Sequence, residues 1–437
     1  MNDATAFLPD FKTDPYWWDA APRPRLDLEP LPPRAEIVIV GSGFTGLSAA
    51  LTLARAGRQV AVIDSGPPGI GASSRNFGMI GRQLKHDFAD LIERLGLERA
   101  KALYGVANDA FRYVVELVER EGIDCQMRQW GRFIAASTPR HYEAVARELE
   151  ARQLHFGHEF AMLPRQRQHE EIGSERYFGG GVIPEHRMLH PGQFHLGLLA
   201  RVQAAGARLV PDTRVTGMRR DGARWEIRTS RGMLQADHLV VATNGYTGPV
   251  TPWLQRRVVP INAYLIATEP LPEATLAKLL PRGRGYHDTS HDMECARISP
   301  DGSRLLFGAL TGYRPQDMRT MGTRLRSRMI RLFPDLKDVR LSHAWTGACA
   351  GTFDFYPHKG EDGGMRYALG YCFGAGMPFG TWLGHNVALS LLGRGGETAF
   401  DSQALPGRSF YWGRPWFVPF YVAWLRWLDR RDGVRLS

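Results

Sequence analysis

Apolar and polar positions follow two clear patterns near the start of the chain. Ile37–Val40 is a short run of β-branched residues, as a buried parallel strand requires. Leu47, Leu51 and Ala54 follow at helical spacing, and Val60–Ile63 forms a second apolar run. These positions predict a strand, a helix and a second parallel strand, which together make one βαβ unit.

The rest of the chain shows both kinds of pattern. Charged residues between periodic Leu, Ala and Val predict helices, which we place at residues 86–121, 139–153, 192–205 and about 379–392. Runs of β-forming residues predict strands, which we place at 130–135, 208–210, within 213–243, and at 258–269, 293–310 and 367–371. Residues 1–34 are rich in proline and are expected to be irregular, with Tyr16–Trp18 as a packing anchor.

Composition excludes several classes of protein. The chain has 437 residues, 43% hydrophobic and 23% charged, which suggests two folded domains. Its net charge of +10 is mostly arginine spread along the chain, which indicates a solvated surface, and no nucleic-acid-binding module is recognised. No apolar run approaches the roughly 20 residues of a membrane span. Four cysteines without a C-x-x-C pair, and no signal peptide, predict a cytoplasmic protein.

The turn inside the βαβ unit carries a dinucleotide-binding fingerprint. Gly41, Gly43 and Gly46 form G-x-G-x-x-G between the first strand and the helix. They permit a tight turn, a close approach of backbone to a pyrophosphate, and close packing of helix on strand. Asp64 ends the second strand, where its carboxylate can accept hydrogen bonds from ribose hydroxyls. Glycines, helix and acid within one unit predict a bound dinucleotide.

Further blocks along the chain resemble one superfamily. They read IGASSRNFGMI, WTGACAGTFDFYPHKG at 345–360, YALGYCFGAGMPFGTWLG at 367–384, and the tail WFVPFYVAWLRWLDRRDGV. With them the chain resembles the D-amino-acid oxidase superfamily of flavoproteins, which includes glycine oxidase and sarcosine oxidase. Within it the chain is most similar to bacterial γ-glutamylputrescine oxidoreductases.

The resemblance implies the fold class, which is α/β (α+β overall): a Rossmann-like FAD-binding domain with an inserted antiparallel-sheet substrate domain. It implies an N-terminal arm at 1–34 and a discontinuous FAD-binding domain at 35–105, 186–255 and 340–437. The substrate domain then takes 106–185 and 256–339.

The resemblance also implies FAD, rather than NAD, as the cofactor, and we expect it to be bound non-covalently. The implied contacts lie in the turn, in the segment that wraps the pyrophosphate, and at the start of the last long helix, whose dipole would face the flavin. The residues are Gly41, Gly43, Phe44, Thr45, Gly46, Asp64, Ser65, Ala72, Ser73, Ser74, Arg75, Asn76, Gly78, Met79, Val215, Thr243, Gly245, Gly376 and Met377. For Arg75, a surface salt bridge is an equal alternative.

The sequence departs from the family at four positions. Two arginines that clamp the substrate carboxylate in glycine oxidase-like members are replaced by Cys349, expected as a buried inert thiol, and Gly374. The lysine that promotes the reaction with oxygen in sarcosine oxidase-like members falls in Leu305–Gly308. The position of the covalent flavin cysteine falls at Gly347. Binding of a simple α-amino acid and fast oxidase chemistry are therefore both in doubt.

Candidate catalytic residues lie on the inserted sheet, which faces the flavin in this family. Tyr264, Phe373 and Met79 are expected to form an apolar wall over the ring. Glu294 and Arg297 are candidates for substrate contact, although alternate strand residues point to opposite faces. His287 and His291 are more consistent with structural roles, and no metal site is expected.

The expected function is therefore FAD-dependent oxidation of a C–N bond in a small-molecule amine, with hydride transfer to flavin N5 and hydrolysis of the imine. The alternative is a dehydrogenase that passes electrons to a quinone or carrier instead of oxygen. A flavin-binding scaffold without turnover is a third reading. The aromatic segment 412–427 is expected to dock on the flavin domain, with contact to a membrane surface as the less favoured alternative.

Overall fold

The computed structural model describes residues 6–312, 316–370, 375–401 and 403–434. The helices are α1 (Trp17–Ala20), α2 (Phe44–Arg55), α3 (Phe88–Leu95), α4 (Leu97–Arg120), α5 (Pro139–Phe156), α6 (Pro191–Ala204), α7 (Pro252–Gln255), α8 (Glu273–Leu279), α9 (Met318–Leu332), α10 (Gly376–Leu391) and α11 (Val418–Arg431). The strands are β1 (Phe7–Lys12), β2 (Arg34–Val40), β3 (Val60–Ile63), β4 (Met79–Ile80), β5 (Arg132–Ala135), β6 (Ala161–Leu163), β7 (Gly180–Ile183), β8 (Arg187–Met188), β9 (Arg208–Val210), β10 (Val215–Asp221), β11 (Arg224–Thr229), β12 (Gly232–Val241), β13 (Val259–Thr268), β14 (Gly285–Asp288), β15 (Cys295–Ile298), β16 (Leu305–Gly312), β17 (Leu341–Gly351), β18 (His358–Asp362) and β19 (Met365–Leu369).

An eight-stranded sheet contains the predicted βαβ unit. Its strand order is β10-β11-β12-β2-β3-β9, with β19 beside the end of β12 and β18 beside β19. Val38 of β2 pairs in parallel register with Ala61 of β3 and Leu239 of β12, so these three strands end at the same edge. Ile37 and Ile39 face a core shared with α2, α4, α6 and α10, while Val38 faces the opposite core. Ligands of such sheets bind outside the carboxyl ends of the strands.

A nine-stranded sheet forms the second layer, in the order β1-β17-β13-β16-β15-β14-β5-β7-β6. Its pairs are antiparallel except β1–β17 and β14–β5, which are parallel. The predicted fold class is confirmed. The predicted domain boundaries stay a proposal, and β17, which we had assigned to the FAD-binding domain, pairs within this sheet.

Two local predictions were wrong. The N-terminal segment is not wholly irregular, because Phe7–Lys12 forms β1 on the edge of the nine-stranded sheet and Trp17–Ala20 forms α1. Trp17 is fully buried, which confirms the packing anchor. The helix predicted over 86–121 is two helices, because Gly96 adopts a φ of +78° between them.

The C-terminal helix α11 docks on the substrate side of the molecule. Asp429 is fully buried and accepts hydrogen bonds from the backbone N–H groups of His291 (2.9 Å) and Asp292 (3.1 Å). Docking on the flavin domain was therefore the wrong expectation. Phe420, Trp424 and Trp427 of this helix, and Trp416 just before it, stay at least half exposed. In the described ranges we find no helix with the length and apolar character needed to cross a bilayer.

Candidate active site

One cavity of about 1200 Å³ connects the carboxyl edge of the eight-stranded sheet to the nine-stranded sheet. It exceeds the roughly 300–1,000 Å³ of ordinary small-molecule pockets, as a dinucleotide plus a substrate requires. Most residues predicted as cofactor contacts line it. They are Gly41, Gly43, Phe44, Thr45, Asp64, Ser65, Ala72, Ser73, Arg75, Asn76, Gly78, Met79, Val215, Thr243, Gly376 and Met377.

The glycine turn has the geometry that the fingerprint predicts. Gly41 has a φ of +107°, and a Cβ there would stand 2.8 Å from the carbonyl oxygen of Ala242. A Cβ on Gly46 would stand 1.9 Å from the carbonyl oxygen of Gly41, so the helix lies directly on the turn. The backbone N–H of Phe44, which opens α2, donates to Ser73 Oγ at 2.9 Å. This cradle fits a pyrophosphate, because only glycine leaves room for it beside the helix N-terminus.

Asp64 and Arg75 flank the cradle. Asp64 Oδ2 accepts hydrogen bonds from Ser42 N (2.7 Å) and Ser42 Oγ (2.6 Å), and the carboxylate lines the cavity beside the turn. Arg75 lies 4.5 Å from the ring centre of Trp18 and donates through Nε to the carbonyl of Ile70. Burial lowers the pKa of Arg75. Arg75 makes no salt bridge among the described residues, which leaves the cofactor contact as its better interpretation.

Arg297 does not line the cavity but supports the segment that does. It is buried, and its Nη1 donates to the carbonyls of Phe77 (3.1 Å), Gly78 (3.3 Å) and Leu189 (2.9 Å). Burial lowers the pKa of Arg297 to about 9. Two of these carbonyls, those of Phe77 and Gly78, belong to the turn that presents Met79, and Arg297 ties this turn to the segment after β8. Arg297 is therefore a positioning residue and not the predicted catalytic residue.

Glu294 is likewise outside the cavity lining. Its carboxylate pairs with Arg176 at 2.9 Å and lies 3.7 Å from Arg328, and it is 1% exposed. Two arginines therefore neutralise this buried acid, and a structural role replaces the predicted catalytic one.

Three residues that were predicted to contact the cofactor do not line the cavity, and their contacts are with the protein itself. Gly46 packs the helix on the turn, and a Cβ on Gly245 would stand 2.6 Å from the backbone of Cys349. Ser74 is fully buried, accepts from Trp18 Nε1 at 2.9 Å and donates to Gly69 O at 2.5 Å. Phe373 lies outside the described residues.

The substrate side of the cavity is formed by the nine-stranded sheet. Tyr264 lines it from β13, and burial raises the pKa of its phenol. His287 and His291 also line it, although the sequence favoured structural roles for both. Burial, followed by the charges of Arg132 and Arg152, lowers the pKa of His287 to about 3, so this imidazole is neutral.

Sequence reasoning missed two residues on this side, Gln83 and Arg132. Gln83 follows β4, and Arg132 begins β5; both line the cavity and are joined by a hydrogen bond of 3.0 Å from Arg132 Nη1 to Gln83 Oε1. One signal was available for Arg132, since a charged residue opens a strand that is otherwise apolar.

Cys349 also lines the cavity, from β17. Its sulfur lies 3.4 Å from the carbonyl oxygen of Ile261 and takes part in a disulfide, so it is not the free thiol that the sequence predicted. The cytoplasmic location stays a prediction.

Comparison with known proteins agrees with this architecture. The chain is 31% identical over 405 residues to a probable oxidoreductase OrdL of Rhizobium meliloti, which covers 90% of this chain and 92% of the relative. It is 29% identical to the γ-glutamylputrescine oxidoreductase of Escherichia coli, over 91% of this chain and 92% of that protein. The crystal structure of glycine oxidase from Geobacillus kaustophilus superposes with a TM-score of 0.69 at 23% identity, over 86% of this chain and 99% of that chain, and so shares the fold.

The family of FAD-dependent oxidoreductases called DAO matches residues 36–389, which include the glycine turn, the segment 72–79 and the start of α10. The chain therefore belongs to the DAO family of FAD-dependent oxidoreductases.

Proposed function

We propose that this enzyme oxidises the C–N bond of a small amine, primary, secondary or N-methyl, with FAD held non-covalently in the cavity. The observation that carries the proposal is the single cavity that joins the glycine cradle to Tyr264 and the nine-stranded sheet. A relative with 29% identity is named for oxidation of an amine, γ-glutamylputrescine, which supports the substrate class.

The cofactor is held by residues of the cradle. Gly41, Gly43 and Asp64 would hold the ADP half, and residues 72–79 would hold the pyrophosphate. The N-terminus of α10 at Gly376 would supply a positive dipole end to the flavin. Bound FAD supplies a hydride acceptor at N5, which is the chemistry that the protein itself lacks.

The protein contributes orientation and a dry site. Tyr264 and Met79 provide apolar surface beside the substrate, and neutral His287 adds no charge that would repel or protonate an amine. Loss of hydride from the carbon next to the nitrogen of a neutral amine leaves an iminium ion. Water adds to this ion, with the excess proton passing to solvent, and releases a carbonyl compound together with ammonia or the smaller amine. None of these steps needs a protein base if the amine binds in its neutral form.

Anaerobic mixing with amines tests the proposal. We expect primary, secondary or N-methyl amines to bleach the oxidised flavin band of the holoenzyme. Matched alcohols, in which a hydroxyl replaces the amine, should leave the band unchanged. A broad amine panel that produces no bleaching would refute the proposal and would favour a flavin-binding scaffold.

A dehydrogenase is the second candidate, and one observation favours it. The row Trp416, Phe420, Trp424 and Trp427 is exposed, with Phe420 71% exposed, and arginines follow it at 430 and 431. Such a face is typical of proteins that meet a membrane, where quinones reside. Among the described residues that line the cavity there is also no lysine.

Two measurements separate the candidates. Reduced enzyme mixed with oxygen in a stopped-flow instrument should reoxidise rapidly if it is an oxidase. Slow reoxidation by oxygen, together with fast reoxidation by a soluble quinone, indicates the dehydrogenase.

A further inference from the structure

Arg132 is a buried cation without a counter-charge. It lies at the start of β5, inside the nine-stranded sheet, and is only 2% exposed. Its Nη1 donates to the neutral amide oxygen of Gln83, and its Nη2 has no hydrogen-bond partner. Among the described residues no carboxylate lies within 4.0 Å of this guanidinium.

Three other buried or partly buried arginines on this side of the protein pair with carboxylates, whereas buried Arg297 donates to three backbone carbonyls. Arg152 pairs with Glu148 at 2.5 Å, Arg328 with Asp292 at 2.7 Å, and Arg176 with Glu294 at 2.9 Å. Burial and repulsion from Arg152 lower the pKa of Arg132 to about 10, so it remains charged at neutral pH. A buried charge is costly unless an opposite charge and hydrogen bonds satisfy it. At Arg132 the opposite charge is missing, and Nη2 has no hydrogen-bond partner.

The surroundings of Arg132 are suited to an anion. Gln83, His287 and Cys295 line the cavity together with it. Asp64, which lies at the glycine turn, is the one carboxylate among the described residues that line this cavity. The part of the cavity formed by the nine-stranded sheet therefore carries a positive charge and no negative one.

We infer that Arg132 binds a carboxylate carried by the amine substrate, and that Gln83 positions its guanidinium. This inference rests on the proposed amine oxidation and narrows the substrate class to amines that bear a carboxylate. A guanidinium forms strong charge-assisted hydrogen bonds to a carboxylate. Arg132 lines the cavity, and its Nη2 carries N–H groups without a partner. This anchor stands on β5, whereas the family resemblance places its arginine clamps at two other sequence positions, Cys349 and Gly374.

Binding of carboxylates to the oxidised holoenzyme tests the inference without turnover. Acetate and benzoate are titrated against acetamide and benzamide, which have similar shapes but no charge, and the flavin absorption band reports occupancy. We expect the wild-type protein to prefer each carboxylate over its amide. Arg132→Met should weaken carboxylate binding roughly 10- to 100-fold and leave amide binding unchanged, while Arg132→Lys should recover part of the loss.

Two further variants keep the test decisive. Arg284→Met is the matched control. Arg284 pairs with Glu171, which lies in the connection between β6 and β7, and Arg284 does not line the cavity. It should leave carboxylate binding unchanged. Gln83→Glu supplies an internal counter-charge, so it should raise the melting temperature and weaken carboxylate binding even if Arg132→Met does not fold.

The outcomes also separate this inference from the proposed function. If wild type does not distinguish carboxylates from amides, or if Arg132→Met binds carboxylates as wild type does, the inference is overturned. Bleaching of the flavin by amines without a carboxylate, at the same efficiency as by amino acids of equal length, would overturn it as well while leaving amine oxidation intact.

Discussion

Gly46→Ala is the substitution that most directly tests the glycine cradle. The added Cβ would stand 1.9 Å from the carbonyl oxygen of Gly41 and 3.3 Å from Ile39 Cγ2. Ordinary contacts begin near 3.4 Å, so the turn and α2 must separate by more than 1 Å. Both groups are backbone or core, and neither can rotate away as a flexible side chain would.

The energetic balance favours destabilisation. Overpacking of this kind costs about 1–3 kcal/mol. Alanine gains about 1 kcal/mol over glycine in a helix interior, which offsets only part of the cost. The 1.9 Å contact with backbone places this clash at the upper end of that range, so we expect a net loss of about 2 kcal/mol in the free energy of unfolding. FAD affinity should drop tenfold or more, because the displaced turn forms the pyrophosphate cradle.

Thermal unfolding and retained flavin absorbance measure the two effects. Gly105→Ala in α4 is the control, since no heavy atom lies within 4 Å of its added Cβ. It should stabilise the protein by about 0.5–1 kcal/mol and retain FAD. A Gly46→Ala protein with wild-type melting temperature and full flavin content would refute the reasoning.

Three other changes follow from the site. Arg297→Met should leave the carbonyls of Phe77 and Leu189 without a donor, which we expect to lower stability by about 3 kcal/mol and to slow flavin reduction; Arg297→Lys should recover part of both, and an unchanged reduction rate would contradict the positioning role. Glu294→Gln should lower stability by about 3 kcal/mol in urea unfolding, because Arg176 and Arg328 lose their shared acid, while the fraction that stays folded reduces its flavin normally; a selective loss of reduction would restore the catalytic interpretation. Burial lowers the pKa of His287 to about 3, whereas a histidine in an unfolded chain has a pKa of about 6.5. As the pH falls below about 6.5, the unfolded state therefore binds a proton that the folded state does not, and the free energy of unfolding decreases. His287→Gln should therefore reduce the slope of stability against pH by about 1.4 kcal/mol per pH unit between pH 6 and 4, and equal slopes for the two proteins would show that His287 is not buried neutral.

The cofactor cradle was predictable because its parts lie within one short stretch of chain. Gly41, Gly46 and Asp64 belong to a single strand-helix-strand unit, and each obeys a local steric or hydrogen-bonding rule. Periodicity likewise located most helices and strands, since it depends only on which face is buried. The sequence pattern did not predict the helix break at Gly96, because the apolar periodicity continues across this residue. In the structure, Gly96 has a positive φ and ends α3.

The roles of residues on the substrate side of the cavity could not be predicted, because they depend on contacts between residues far apart in the chain. Glu294 and Arg297 were natural candidates for catalysis because of their residue types. The sequence does not show that Glu294 pairs with two arginines or that Arg297 donates to three backbone carbonyls. Pairing of β5 with β14 brings Arg132 and His287 to one cavity, and the loop after β4 adds Gln83. The sequence by itself determined the nucleotide turn, because local geometry dictates it. Only the tertiary structure decided which buried charges are neutralised, because a counter-charge is supplied through space by other segments of the chain.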